Sequence, residues 1–149
     1  MECGDHYARA MASYGVFLAA CGFAYHGPKG YLEFAPRLQP EDFRAALTTA
    51  EGWGTFSQYR RGGVQTAGVE IRWGKLRLRS LALTLAAGVT GSARISPQAL
   101  AEPVALSVRV NLGGAPLECR HRVEDGKVIV DLAADVVIEI GKKLEVTVA

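Results

Sequence analysis

Three pairs of side chains in this sequence are of metal-binding types: Cys3 with His6, Cys21 with His26, and Cys119 with His121. A structural zinc ion takes four ligands in a tetrahedron, so two of these pairs would have to meet. The first two lie at opposite ends of a helical stretch about 25 Å long, at ~1.5 Å per residue, which keeps them apart. Cys119 and His121 offer two ligands alone and are read as sheet residues. No metal site and no cofactor is therefore expected. A Cys/His nucleophile needs a spatial arrangement that spacing does not give, and no GxSxG, HExxH or phosphate-loop pattern occurs.

Other side chains carry charge or flat rings. Asp5 and Arg9 stand at i,i+4, a spacing that places them on one helix face where they can pair. Arg72, Lys75, Arg77 and Arg79 follow strand alternation and read as a solvated outer face that discourages edge pairing. A nucleic-acid reading of that row lacks interleaved aromatics and a positive overall balance. Trp53, Phe56, Tyr59 and Trp73 offer either a sugar-stacking platform or core residues of a sandwich, and the core reading is the expectation.

The elements that must position these residues follow from periodicity. Ala10 to Tyr25 contains no charged residue, and small residues alternate with Met11, Tyr14, Phe17 and Leu18. A helix here, from about residue 5 to about 21, would be apolar on nearly every face and would need neighbours all round. Asp5 fits its N-cap, and Gly22 with Gly27-Pro28 its stop. From Pro28 onward the period shortens. Tyr31–Ala35 and Phe43–Thr49 read as strands, and Val69, Ile71 and Trp73 point one way with Glu70 and Arg72 the other. Gly74-Lys75 reads as a hairpin turn into Leu76 and Leu78, and Leu81, Leu83 and Leu85 continue the sheet. After a break at Gly88–Ser92 come Val104–Val110, Leu117–Val123 and Val128–Leu132, the last two flanking an Asp125-Gly126 hairpin turn. Val136–Ile140, a turn at Gly141-Lys142, and Leu144, Val146 and Val148 close the chain. About eight to ten short strands predict a mainly β fold: an antiparallel β-sandwich preceded by one N-terminal α-helix.

Composition sets the limits. A chain of 149 residues that is 49% hydrophobic can bury the core of one domain with an appendage. Its 17 basic and 15 acidic residues, net +2, argue for neither nucleic acid nor an anionic membrane surface. The uncharged run is shorter than the ~20 residues of a membrane span. Cys3, Cys21 and Cys119 are an odd number at unrelated spacings, which fits free thiols in a reducing, cytoplasmic compartment.

The run ECGDHYARAMASYGVFLAACGFAYHGPKGYLEFAPRL, followed by PEDF and AEGWGTFSQ, resembles the C-terminal part of glycoside hydrolase family 116, the bacterial β-glucosidases and non-lysosomal glucosylceramidases. The likeness covers about residues 2 to 58. Beyond them it is one of strand pattern and position, to an extra β domain that follows the catalytic region in some bacterial members. The resemblance implies an (α/α)6 barrel that hydrolyses β-glucosides with retention, which uses two carboxyl groups ~5–5.5 Å apart. Both would lie upstream of the matched piece. The matched arginine is Arg9, implied to hydrogen-bond ring hydroxyls of glucose. The family's sugar-binding glutamate falls two residues before the position of Glu2, so Glu2 does not inherit that role.

Residues 1–25 are accordingly expected to be the terminal helix of the barrel and 26–149 the sandwich. The chain is expected to be a fragment of a longer hydrolase, or the second half of a split gene, with the missing barrel as partner and a β-glucoside as the parent's substrate. On its own it should be inactive. The alternative is a stand-alone carbohydrate-binding or structural module, in one form a lipoprotein whose lipobox is Leu18-Ala19-Ala20-Cys21; Glu2 and Asp5 against Arg9 alone do not make the positive leader such signals need.

Overall fold

The computed structural model describes residues 4–86 and 106–149, with side chains from His6 onward. Helix α1 runs Gly4–Cys21. It stops where the sequence reading expects, and the stop is a Schellman motif. Gly22 takes φ +56°, its N–H donates to Ala19 O at 3.3 Å, and the Phe23 N–H donates to Leu18 O at 3.2 Å. Two further terminal carbonyls are satisfied from outside the helix. Arg37 N–H donates to Ala20 O at 2.9 Å, and Ala35 N–H donates to Cys21 O at 3.1 Å. Glycine is also demanded sterically, since a Cβ at residue 22 would lie 2.3 Å from Ala35 O. The described helix begins one residue before Asp5, whose side chain is outside the described residues, so its cap and its pairing with Arg9 are too.

Ten strands follow: β1 Ala24–His26, β2 Tyr31–Phe34, β3 Asp42–Thr48, β4 Gly52–Arg61, β5 Val64–Thr84, β6 Val108–Leu112, β7 Ala115–Leu117, β8 Cys119–Glu124, β9 Lys127–Glu139 and β10 Lys143–Val148. They pair in two groups that share β5. Its first half lies between β4 and β10, with β3 beyond β4 and β6 and β7 beyond β10. Its second half lies between β2 and β9, with β1 beyond β2 and β8 beyond β9. A strand that changes sheet at irregularities is one way a sandwich makes its corners.

This corrects the sequence reading at Gly74-Lys75, where no hairpin forms and β5 continues for 21 residues. Two phase changes mark the crossing. Ala67, Val69 and Ile71 are buried, then Leu76 and Leu78, then Leu81 and Leu83. The first change falls where Gly54 pairs with Ile71 but Trp53 with Trp73, leaving Arg72 as the extra residue. The second falls between Leu78 and Ser80. The strand predicted over Leu117–Val123 is likewise two strands, β7 and β8, bonded to different neighbours, whereas Val128–Leu132 and Val136–Ile140 are largely one strand, β9. The sheet is not wholly antiparallel either, because β2 runs parallel to β5. The Gly88–Ser92 break and the start of the Val104 run lie outside the described residues.

The core joins the two sheets. Phe34 of β2 and Phe56 of β4 are both fully buried, and their rings stack with centroids 3.8 Å apart and planes 2° from parallel. Leu144, Val146 and Val148 close it from β10. At one end a polar cluster is enclosed as well. Gln65 Nε2 donates to Gln58 Oε1 at 3.0 Å, Gln58 Nε2 to Pro40 O at 2.8 Å, and Arg60 Nε to Gln65 Oε1 at 3.1 Å. Arg60 also donates to Thr84 O. Burial lowers the Arg60 pKa against the pull of Glu41, and these bonds offset the cost of enclosing it.

Candidate functional site

Arg9 lies on an exposed part of α1, and the Ser13 hydroxyl reaches its carbonyl at 3.0 Å. The helix around it is apolar and uncovered. Tyr7 is 62% exposed, Met11 57% and Val16 70%. At about 100° per residue, Tyr7 and Met11 share one side while Val16 is on the opposite one. Exposure therefore extends round the circumference, where a helix of this composition should be packed. The helix meets the sheets toward its C-terminal end. There Tyr14 and Thr48 share a hydrogen bond of 3.2 Å between hydroxyls, and Phe17, Leu18, Phe23 and Leu47 line one small cavity.

Among the described residues the potential metal ligands are not brought together. Cys21 is buried in the core. His26 Nδ1 instead accepts from the Lys29 N–H at 3.2 Å, capping a short 3₁₀ turn, Gly27–Lys29. Cys119 is partly buried and His121 exposed. Cys3 is outside the described residues, among which no group of three or more His, Cys, Asp or Glu could hold a metal. Burial pushes the Cys21 and Cys119 thiols up, away from the thiolate a nucleophile needs. No helix among the described residues is long and apolar enough to cross a membrane.

The basic row is solvated and paired. Arg72 lies 3.3 Å from Glu70, Lys75 3.6 Å from Glu51 and Arg77 2.6 Å from Asp135. Arg77 also donates to Gly27 O and Pro28 O at 2.7 and 2.8 Å, tying the β1–β2 turn to β5.

The aromatics depart furthest from expectation. Phe56 is core, but Trp53 is 51% exposed and Trp73 61%, and Tyr59 is exposed too. Trp73 shares its parity with buried Val69 and Ile71, so strict alternation would turn it inward. The extra residue Arg72 reverses that phase. Three glycines let the strands cross closely at this point: a Cβ on Gly54 would lie 2.0 Å from Glu70 O, one on Gly52 2.6 Å from Trp73 O, and one on Gly74 2.1 Å from Glu51 O. Gly52 and Gly54 flanking Trp53 are the sequence signal, since strand glycines mark bulges and close backbone approaches.

No family model matches the chain, and no curated protein matches it. Among solved structures it is similar to a GH127 β-arabinofuranosidase, with a TM-score of 0.46 and 16% identity over 81% of this chain. The chain spans 18% of that protein's length. That likeness is to part of a glycoside hydrolase and does not point to family 116.

Proposed function

We propose that this chain is the C-terminal part of a retaining β-glucosidase- or glucosylceramidase-like glycoside hydrolase, contributing Arg9 to the sugar site and a structural β-sandwich beside the barrel. The observation that carries the reading is α1: an apolar helix exposed on opposite sides, anchored to the sandwich near its C-terminal end. Such a helix has the surface of one packed among others, and the (α/α)6 barrel implied by the resemblance is the partner that would cover it. Arg9 sits on this helix, and a guanidinium offers a planar fork of N–H donors to adjacent ring hydroxyls, which accept. The nucleophile and acid/base come from the barrel, so the isolated chain turns nothing over. Free thiols at Cys21 and Cys119 support a reducing, cytoplasmic setting.

The test of Arg9 uses the chain assembled with a barrel polypeptide. Losing a charged hydrogen bond costs ~1.5–3 kcal/mol, so Arg9→Ala should lower kcat/KM on an aryl β-glucoside by about 10- to 150-fold. Unchanged kcat/KM would remove Arg9 from the sugar site.

A further inference from the structure

We propose that Trp53 and Trp73 form a carbohydrate-stacking platform on the outer face of the sheet containing β3, β4, β5 and β10, with gluco-configured β-linked oligosaccharides as the ligand class. The inference is independent of the barrel and of Arg9. The two residues are direct partners on adjacent antiparallel strands, so their side chains leave the sheet on the same side. Both indoles are more than half exposed, and burying two such rings would be strongly favourable. Their exposure is built into the backbone: the extra residue Arg72 turns Trp73 out of the core, and Gly52, Gly54 and Gly74 permit the strand approach that the irregularity requires. Bulges of this kind re-aim side chains next to binding sites.

The surroundings favour a sugar over an apolar protein surface. The next outward positions carry Thr55 and Glu70, themselves strand partners, and beyond them Ser57 and Lys143 line a shallow polar depression. Glu70 also pairs with Arg72. Flat apolar rings therefore run into hydroxyl, carboxylate and ammonium groups. A β-glucopyranose matches this sequence of surfaces, because its ring faces present axial C–H groups and its rim equatorial hydroxyls. An aliphatic partner surface would take those polar groups and their ion pairs out of water without adding hydrogen bonds to them.

The chain contains two tryptophans, so fluorescence excited at the red edge, where tyrosine does not absorb, reports on this platform alone. Titration of the full chain with cellohexaose and with laminarihexaose should blue-shift the emission and reduce its quenching by acrylamide. Trp53→Ala and Trp73→Ala should each weaken binding about tenfold, equivalent to ~1.4 kcal/mol, as followed by calorimetry. Both positions being exposed, the thermal midpoints of these variants should stay close to the parent's. The inference is overturned if neither glycan changes the emission at millimolar concentration, or if calorimetric binding survives in the double Trp53→Ala/Trp73→Ala variant.

Discussion

Replacing Tyr7, Met11 and Val16 of α1 together by lysine should leave the stability of this chain nearly intact, although all three are large apolar residues of a helix. They are 62%, 57% and 70% exposed. Surface substitutions usually change stability by no more than ~0.5 kcal/mol each, so the triple variant should lose at most ~1.5 kcal/mol. Lysine is also a better helix former than valine or tyrosine, which works against any loss. At roughly 2–4 °C per kcal/mol for a protein near this size, the midpoint should fall by no more than ~6 °C. Leu47→Ala supplies the contrast. Leu47 is 2% exposed, and truncating a buried leucine costs ~2–5 kcal/mol. Urea unfolding followed by far-UV circular dichroism gives both values on one scale. A loss above ~3 kcal/mol in the triple lysine variant would mean that the chain's own residues cover the helix, and the need for a partner there would disappear.

Three further outcomes follow from the sandwich. Phe34→Ala and Phe56→Ala should each cost ~3–5 kcal/mol, with a coupling of ~0.5–1.5 kcal/mol in a double-mutant cycle; strict additivity would contradict the stacked inter-sheet contact. Gly54→Ala should lower the urea midpoint by the equivalent of ~1–3 kcal/mol, since its methyl would meet the Glu70 carbonyl; an unchanged midpoint would place the β4–β5 irregularity elsewhere. At Glu33, burial raises the carboxyl pKa, but hydrogen bonds from Lys127 and Tyr31 outweigh it and the folded value is lowered. The stability this contributes is present above the unfolded carboxylate pKa and is lost as pH falls through the folded one. Urea midpoints measured between pH 7 and pH 3 should therefore fall more steeply for the parent than for Glu33→Gln, and parallel curves would refute the assignment.

The parts of this fold that were legible in the sequence are those fixed by neighbours along the chain. The uncharged run and Gly22 define the helix and its end, because a Schellman stop needs one glycine in the left-handed region. Asp125 and Gly126, at φ 49° and 73°, make the two-residue turn that joins β8 to β9. Alternation at Leu144, Val146 and Val148 gives the buried face of β10. What escaped depends on distant partners. Gly74 permits a turn, yet β4 and β10 hold β5 extended on one side of it and β9 and β2 on the other, so the residue serves a close strand crossing. Trp73 escaped for the same reason: one unpaired residue, Arg72, inverts the positions from Trp73 to Leu78, and the inversion is visible only against β4. The parallel pairing of β2 with β5 leaves no local pattern at all. At the candidate site, the resemblance alone singles out Arg9, since its spacing from Asp5 suggests only a helix-surface pair, and the structure adds that the helix bearing it is exposed.

The most direct test of the central proposal is an aryl β-glucosidase assay on this chain purified alone and after co-expression with the polypeptide encoded immediately upstream of it. The isolated chain should release no nitrophenol, and the pair should co-purify stably and turn the glucoside over. Turnover by the isolated chain, or a co-expressed pair that neither associates nor hydrolyses the glucoside, would contradict the proposal.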